Sequence, residues 1–231
     1  MKVQSPYTKI IIDYKKAKIL EKFPELEKLQ SDNFISIYKY ISHIPECFYN
    51  EEVFNLFSDW LISTDFSNQG LLKSYFSDNE KRISNAIRNL NQINELNIHD
   101  EDIQGKDDYN LLEVIDNCIH PNYLRLVEGV FAPLIHPIGY ISRLLRNAGV
   151  EKLDVYNLVE EIQSKYSGFQ VLIRPYNHII RNSIAHRSVD YLNHEIQYSD
   201  KNGTETLFYA DVITLFDDLI DCCNAIVFAF C

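Results

Sequence analysis

The sequence predicts an all-α protein, a helical bundle interrupted once by a short β-hairpin before the last helix. Three observations carry that reading. Apolar residues recur at three- and four-residue spacings over most of the chain, the mark of amphipathic helices. Only 7 Gly and 7 Pro occur in 231 residues, which favours long helices with few tight turns. Residues 196–198 and 204–209 alternate with period two around Asp200-Lys201-Asn202-Gly203, and Asn-Gly is the strongest short hairpin signal.

Taken in order, residues 8–30 read as a charged amphipathic helix broken near Pro24. Asp32 or Asn33 caps a second helix over 34–42, which Pro45 ends. A third spans 51–62, its apolar face formed by Val53, Phe54, Phe57, Trp60 and Leu61, and a long fourth spans 70–96. The polar, acidic stretch 97–108 reads as a linker. It divides a helical N-terminal extension, residues 1–100, from a helical domain, residues 101–231. A short helix over 109–118 precedes a long run over 123–147, expected to kink around Pro133 and Pro137. Helices over 154–166 and 170–192 follow, then the hairpin. The last helix starts near Asp211 and ends on Ala225-Ile226-Val227-Phe228-Ala229-Phe230-Cys231 without a polar cap. Such an end fits a buried terminus or a domain of a longer chain.

Composition narrows the function. Hydrophobic residues are 46% of the chain, with 15 Tyr and 13 Phe, so it folds into a real core. With 33 acidic against 22 basic residues the net charge is −11, which argues against gripping long duplex nucleic acid by bulk charge. No apolar run reaches the roughly 18 residues of a membrane span. Ile10-Ile11-Ile12 gives way at once to Asp13 and Lys15-Lys16, unlike a signal peptide. Five cysteines, an odd number without C-x-x-C, suit reduced thiols in a cytoplasm. Cys118 and His120 with Cys222-Cys223 lack zinc spacing, and Asp217, Asp218 and Asp221 read as a solvated helix face or as partners for arginines near the motif. Neither a Gly-rich phosphate loop nor a G-x-S-x-G elbow is present, so no metal and no cofactor is expected.

The functional signal lies in 170–192. On a wheel of roughly 100° per residue, Ile173, Tyr176, Ile180 and Ile184 form a core-facing stripe. Arg174, His178, Arg181, Asn182, Ala185 and His186 fall opposite. From Ile162 through Val189 there is no Asp or Glu, while Lys165, Arg174, Arg181 and Arg187 all occur. An acidic protein that keeps acids out of one segment has the makings of an anion site, and phosphate is the anion that suits Arg with His.

Arg181-Asn182, three residues, then His186 resembles the signature of the HEPN family (higher eukaryotes and prokaryotes nucleotide-binding). The likeness covers the motif helix and, more loosely, residues 108–231 through helix order and the hairpin. It implies an all-helical, dimeric, metal-independent endoribonuclease of the toxin–antitoxin, abortive-infection or CRISPR-linked defence kind, with an antitoxin or regulatory protein as a possible partner. Arg181 and His186 would be the catalytic pair and Asn182 the polar residue that often follows the Arg. Members paired with a nucleotidyltransferase antitoxin usually carry Tyr two residues after the His. Here that place is Ser188, which puts tyrosine modification in doubt.

The chemistry suits these residue types. In single-stranded RNA the 2′-hydroxyl attacks its own phosphate. An imidazole such as His186 can take that proton or give one to the leaving 5′-oxygen. Arg181 would neutralise the charge gathering on the phosphate, and Asn182 would orient the imidazole or bond the phosphate. Arg174, His178 and Arg187 are the expected RNA-binding residues around them. Arg181 and His186 are separated by about 7.5 Å of helix rise, so a compact site forms more easily where two motif helices meet across a two-fold axis. The small Ala185 permits that approach. The alternative is a non-catalytic HEPN-like module that binds RNA, a nucleotide or a protein partner.

Overall fold

A computed structural model describes residues 49–68, 70–94, 96, 107–151 and 153–230. The helices expected over 8–30 and 34–42, and most of the expected linker, lie outside these residues. The described part belongs to one compact unit, Phe48–Phe230. The helices of residues 51–94, assigned from the sequence to an extension ending at residue 100, thus share a body with the motif helix.

Helix α1 (Glu51–Ser67) is capped by Asn50, whose side chain accepts from the Val53 amide, and buries Val53, Phe54, Phe57 and Trp60. Helix α2 (Leu71–Asn94) buries Leu72, Tyr75, Ile83, Ala86, Leu90 and Ile93, a helical stripe. α1 packs on the terminal helix, and α2 on the long central rod α3, residues 108–145.

α3 differs from expectation. Instead of two helices with a proline kink, it is one rod made of Asp108–Val114, a π turn Ile115–Ile119, His120–Leu126, a π turn Val127–Phe131 and Ala132–Leu145. Each π turn closes on the residue just before a proline: the His120 amide donates to the Ile115 carbonyl and the Ala132 amide to the Val127 carbonyl. A proline has no N–H to offer and its ring crowds the carbonyl four residues back. Widening the preceding turn relieves that crowding without breaking the rod. The Gly129 carbonyl, which Pro133 cannot serve, accepts from Asn89 Nδ2 at 3.3 Å. Residues 131–139 of α3 are all buried, so this rod is the centre of the core.

Further polar contacts tie neighbours to α3. Tyr75 Oη lies 2.6 Å from His136 Nδ1. His120 Nε2 lies 2.8 Å from Tyr198 Oη of the sheet. Glu161 on α4 (Val155–Lys165) accepts from Ser142 at 2.6 Å and pairs with Arg143 and Arg146. α3 and α4 approach closely at Gly139, where an added Cβ would meet Leu158 Cδ2 at 2.6 Å.

After a 3₁₀ turn, Ser167–Phe169, the expected 170–192 helix is broken in two. The first piece, α5 (Gln170–Ile173), stops just before Pro175, which has no N–H to continue the ladder to the Val171 carbonyl. The second, α6 (His178–His186), begins at Asn177, whose side chain accepts from the Ile179 and Ile180 amides at 2.9 and 3.2 Å. It ends where Arg187 turns left-handed (φ 57°) and the Ser188 amide reaches back to the Ser183 carbonyl at 2.9 Å. Residues 189–191, expected as helix, form strand β1 (Val189–Tyr191) instead.

β1, β2 (Glu195–Asp200) and β3 (Gly203–Phe208) make a three-stranded antiparallel sheet in that order. Ser188, at the place of the family's Tyr, donates its hydroxyl to the Ser199 carbonyl at 2.5 Å and so fastens the entry to β1. The hairpin pairs Asp200 with Gly203, so Lys201 and Asn202 are the turn residues. Asp200 holds the turn by accepting from the amides of Asn202 and Gly203. Ile196 and Tyr198 are fully buried, and α6 lies against β2. Helix α7 (Tyr209–Phe230) closes the unit with twelve buried residues. The molecule is therefore mostly helical with a small sheet before the last helix. No helix among the described residues is long and apolar enough to cross a membrane.

Candidate functional site

The start of α6 is anchored from below. Asn177, its cap, donates its backbone N–H to the hydroxyl of Tyr123 on α3, a fully buried group, at 3.2 Å. Inside the helix, Ile180 is buried and Ser183, fully buried, donates to the Ile179 carbonyl at 2.7 Å. These contacts fix which face α6 turns outward.

On that face, Arg181 and Asn182 line a cleft of about 310 Å³ together with Asp154, Val155, Tyr156, Tyr176, His178, Lys201 and Asn202. Three parts of the chain build it: the start of α4, the turn and first residues of α6, and the tip of the hairpin. His178, the first residue of α6, meets the Tyr156 ring edge to face at 5.7 Å. Tyr176 stacks on Phe131 of α3 at 6.1 Å, and burial pushes its hydroxyl up to about 12, so it stays a donor at neutral pH.

The segment that is acid-free in sequence is not acid-free in space. Arg181 ion-pairs through Nη2 with Glu128, which reaches in from α3, and donates through Nη1 to Asn182 Oδ1 at 2.8 Å. Asn182 Nδ2 donates to Asp200 Oδ2 at 2.9 Å. That bond, ahead of the amides of Asn202 and Gly203, holds the Asp200 carboxyl below its ordinary value. Arg181 Nε is buried without an acceptor among the described residues. The cleft thus carries cations and amides already engaged by carboxylates at its edge.

The other sequence-derived residues fall elsewhere. His186 is exposed at the C-terminal end of α6, with no hydrogen bond, ion pair or ring contact among the described residues, and it does not line the cleft. Ala185 and Arg187 beside it are also exposed, and Arg174 is exposed in the turn before α6. Within one chain, then, Arg181, Asn182 and His178 come together, while His186, Arg174 and Arg187 stay apart from them. Asp217, Asp218 and Asp221 do not line the cleft either. Asp221 is half-buried, and this desolvation, with Asp217 and Asp218 beside it, pushes its carboxyl up to about 7.

Sequence reasoning missed Tyr156, Asp154, Lys201 and Asn202 as cleft residues. Asp154 had a signal only as the start of a helix, and the hairpin tip only as a turn. Nothing local told that these two turns meet over α6.

No family model, curated protein or solved structure matches this chain. The geometry of the site therefore carries the functional reading.

Proposed function

We propose that this protein is a metal-independent endoribonuclease of the HEPN type, cleaving single-stranded RNA as a homodimer whose two α6 helices face each other. One observation carries the reading: a single nine-residue helix holds Arg181 and Asn182 in a polar cleft and presents His186, unengaged, at its exposed far end. A phosphate in the cleft of one copy would be held by Arg181. The guanidinium would leave Glu128 for a paired grip on phosphate oxygens, which also offers the orphaned Nε an acceptor. His186 of a second copy would then move the proton of the 2′-hydroxyl or of the leaving 5′-oxygen. Exposed Ala185 leaves room for the helices to approach. As such a nuclease the protein would act in the cytoplasm as a toxin or anti-phage effector, restrained by an antitoxin or regulatory protein.

A second reading has its own support. The Arg181–Glu128 pair and the separation of His186 from the cleft also suit a module that binds RNA, a nucleotide or a protein partner without cutting. Cleavage decides between them. Purified protein incubated with single-stranded or looped RNA in EDTA should yield fragments with 2′,3′-cyclic phosphate and 5′-hydroxyl ends. Activity that disappears in EDTA and returns with Mg²⁺ overturns the mechanism, and RNA binding without any cleavage leaves the module.

A further inference from the structure

The cleft contains more than a phosphate needs. Its volume, about 310 Å³, lies at the small end of ligand pockets, roughly 300–1,000 Å³, room for a single nucleotide unit. Lys201 and Arg181 supply cationic donors at one part of the lining, and Tyr156 and Asp154 belong to the start of α4 at another. Tyr176 already spends a ring face on Phe131. Tyr156 meets only an edge contact with His178 and is 48% exposed, so a broad face of its ring remains open. An exposed tyrosine face beside cations suits a base stacked next to its own phosphate. Asp154 spends Oδ1 on capping α4, accepting from the Asn157 amide and Nδ2 at 2.9 and 3.0 Å. Its Oδ2 takes no hydrogen bond from the described residues. A carboxylate oxygen accepts from amino groups and repels carbonyl oxygens. Uracil offers only its N3–H, flanked on both sides by carbonyls, so the carboxylate favours bases that carry an exocyclic amine.

We infer that Tyr156, Asp154 and Lys201 form a base-recognition subsite, which takes one nucleotide of single-stranded RNA with an amino-bearing base (guanine, adenine or cytosine) in preference to uracil. Tyr156 stacks the base, Asp154 reads its amine, and Lys201 from the hairpin tip holds the adjoining phosphate beside Arg181. None of the three belongs to the Arg-Asn-x₃-His motif. The inference rests on the proposal that this cleft receives RNA, but it does not require the chain to cut.

The test is calorimetric titration of the full chain with the four nucleoside 3′-monophosphates and with inorganic phosphate. The three amino-bearing nucleotides should bind more tightly than the uridine nucleotide, and all should exceed inorganic phosphate. Tyr156→Ala should weaken the preferred nucleotides about 5- to 150-fold, the contribution of one stacked base, while Tyr156→Phe retains their affinity. Asp154→Asn keeps a good helix cap and should erase the discrimination against uridine. Lys201→Ala should weaken all four nucleotides alike and reduce the salt dependence of binding. Inorganic phosphate binding as tightly as the nucleotides, or Tyr156→Ala leaving their affinity unchanged, overturns the subsite. The nuclease reading fails separately: base-dependent binding with no RNA cleavage removes it and leaves the subsite standing.

Discussion

The two ends of α6 differ in every respect that matters to function. At the N-terminal end, Asn177 is bonded to α3, His178 touches Tyr156, and Arg181 and Asn182 are held by Glu128 and Asp200. At the C-terminal end, Ala185, His186 and Arg187 are all exposed. The first end is prepared for a ligand within one chain. At the second end, His186 meets no hydrogen-bond, ion-pair or ring partner among the described residues. On the proposed reading, a motif spread over both ends is half assembled in one chain, and a second copy would supply the other half.

The largest effect expected from breaking this contrast is on cleavage. His186→Ala should cost about 10²–10⁴-fold in rate, as loss of a general acid or base does, and Arg181→Ala a comparable factor through lost charge stabilisation. His186→Ala should leave the melting temperature nearly unchanged, because an exposed, unengaged side chain usually contributes within about 0.5 kcal/mol. Loss of activity only in proportion to loss of folded protein would make both residues structural.

A core change sharpens the contrast from the other side. Ile180 is 2% exposed, on the inner face of the same helix. Ile180→Ala should lower stability by about 2–5 kcal/mol through the cavity it opens, measured by urea unfolding. What remains folded should cleave at a near-normal rate. A stability change below about 0.5 kcal/mol would mean that the inner face of α6 is misassigned.

The smallest effect concerns Glu128. It is half exposed, and exposed ion pairs contribute about 0–1 kcal/mol. Glu128→Gln should release Arg181 and tighten RNA binding no more than about fivefold. Weaker binding in that variant would show that Glu128 positions Arg181 instead of competing for it.

What the sequence disclosed, and what it hid, follows the range of the interactions. The helix over 154–166, the helices over 51–94 and the strands flanking residues 201–202 are set by neighbours a few positions away, and they are found close to where the pattern puts them. The expected 170–192 helix is not: it breaks at Pro175, which lacks the ladder N–H, while the apolar stripe continues across the break and masks it. β1 was read as helix because three residues carry too little alternation to be seen before their partner strand is known. The continuous α3 rod needed π turns, which no apolar spacing announces. The site was legible only in part for the same reason. Arg181 and Asn182 were visible as a motif, whereas Glu128, 53 residues away, and Asp200, 18 residues away, are brought in by the fold. The absence of acids in residues 162–189 therefore described the segment and not its surroundings.

The central claim is that Arg181 of one copy works with His186 of another. Mixing the two inactive variants tests it most directly. Arg181→Ala and His186→Ala proteins, unfolded together at equal amounts and refolded to allow exchange, form mixed dimers as about half of the population if pairing is random. Each mixed dimer would contain one intact pair and one doubly defective pair. Cleavage should then recover to about a quarter of the wild-type rate, from nearly nothing in either variant alone. No recovery in a mixture shown to contain mixed dimers would contradict the shared site, and would place Arg181 and His186 either within one chain's chemistry or outside it altogether.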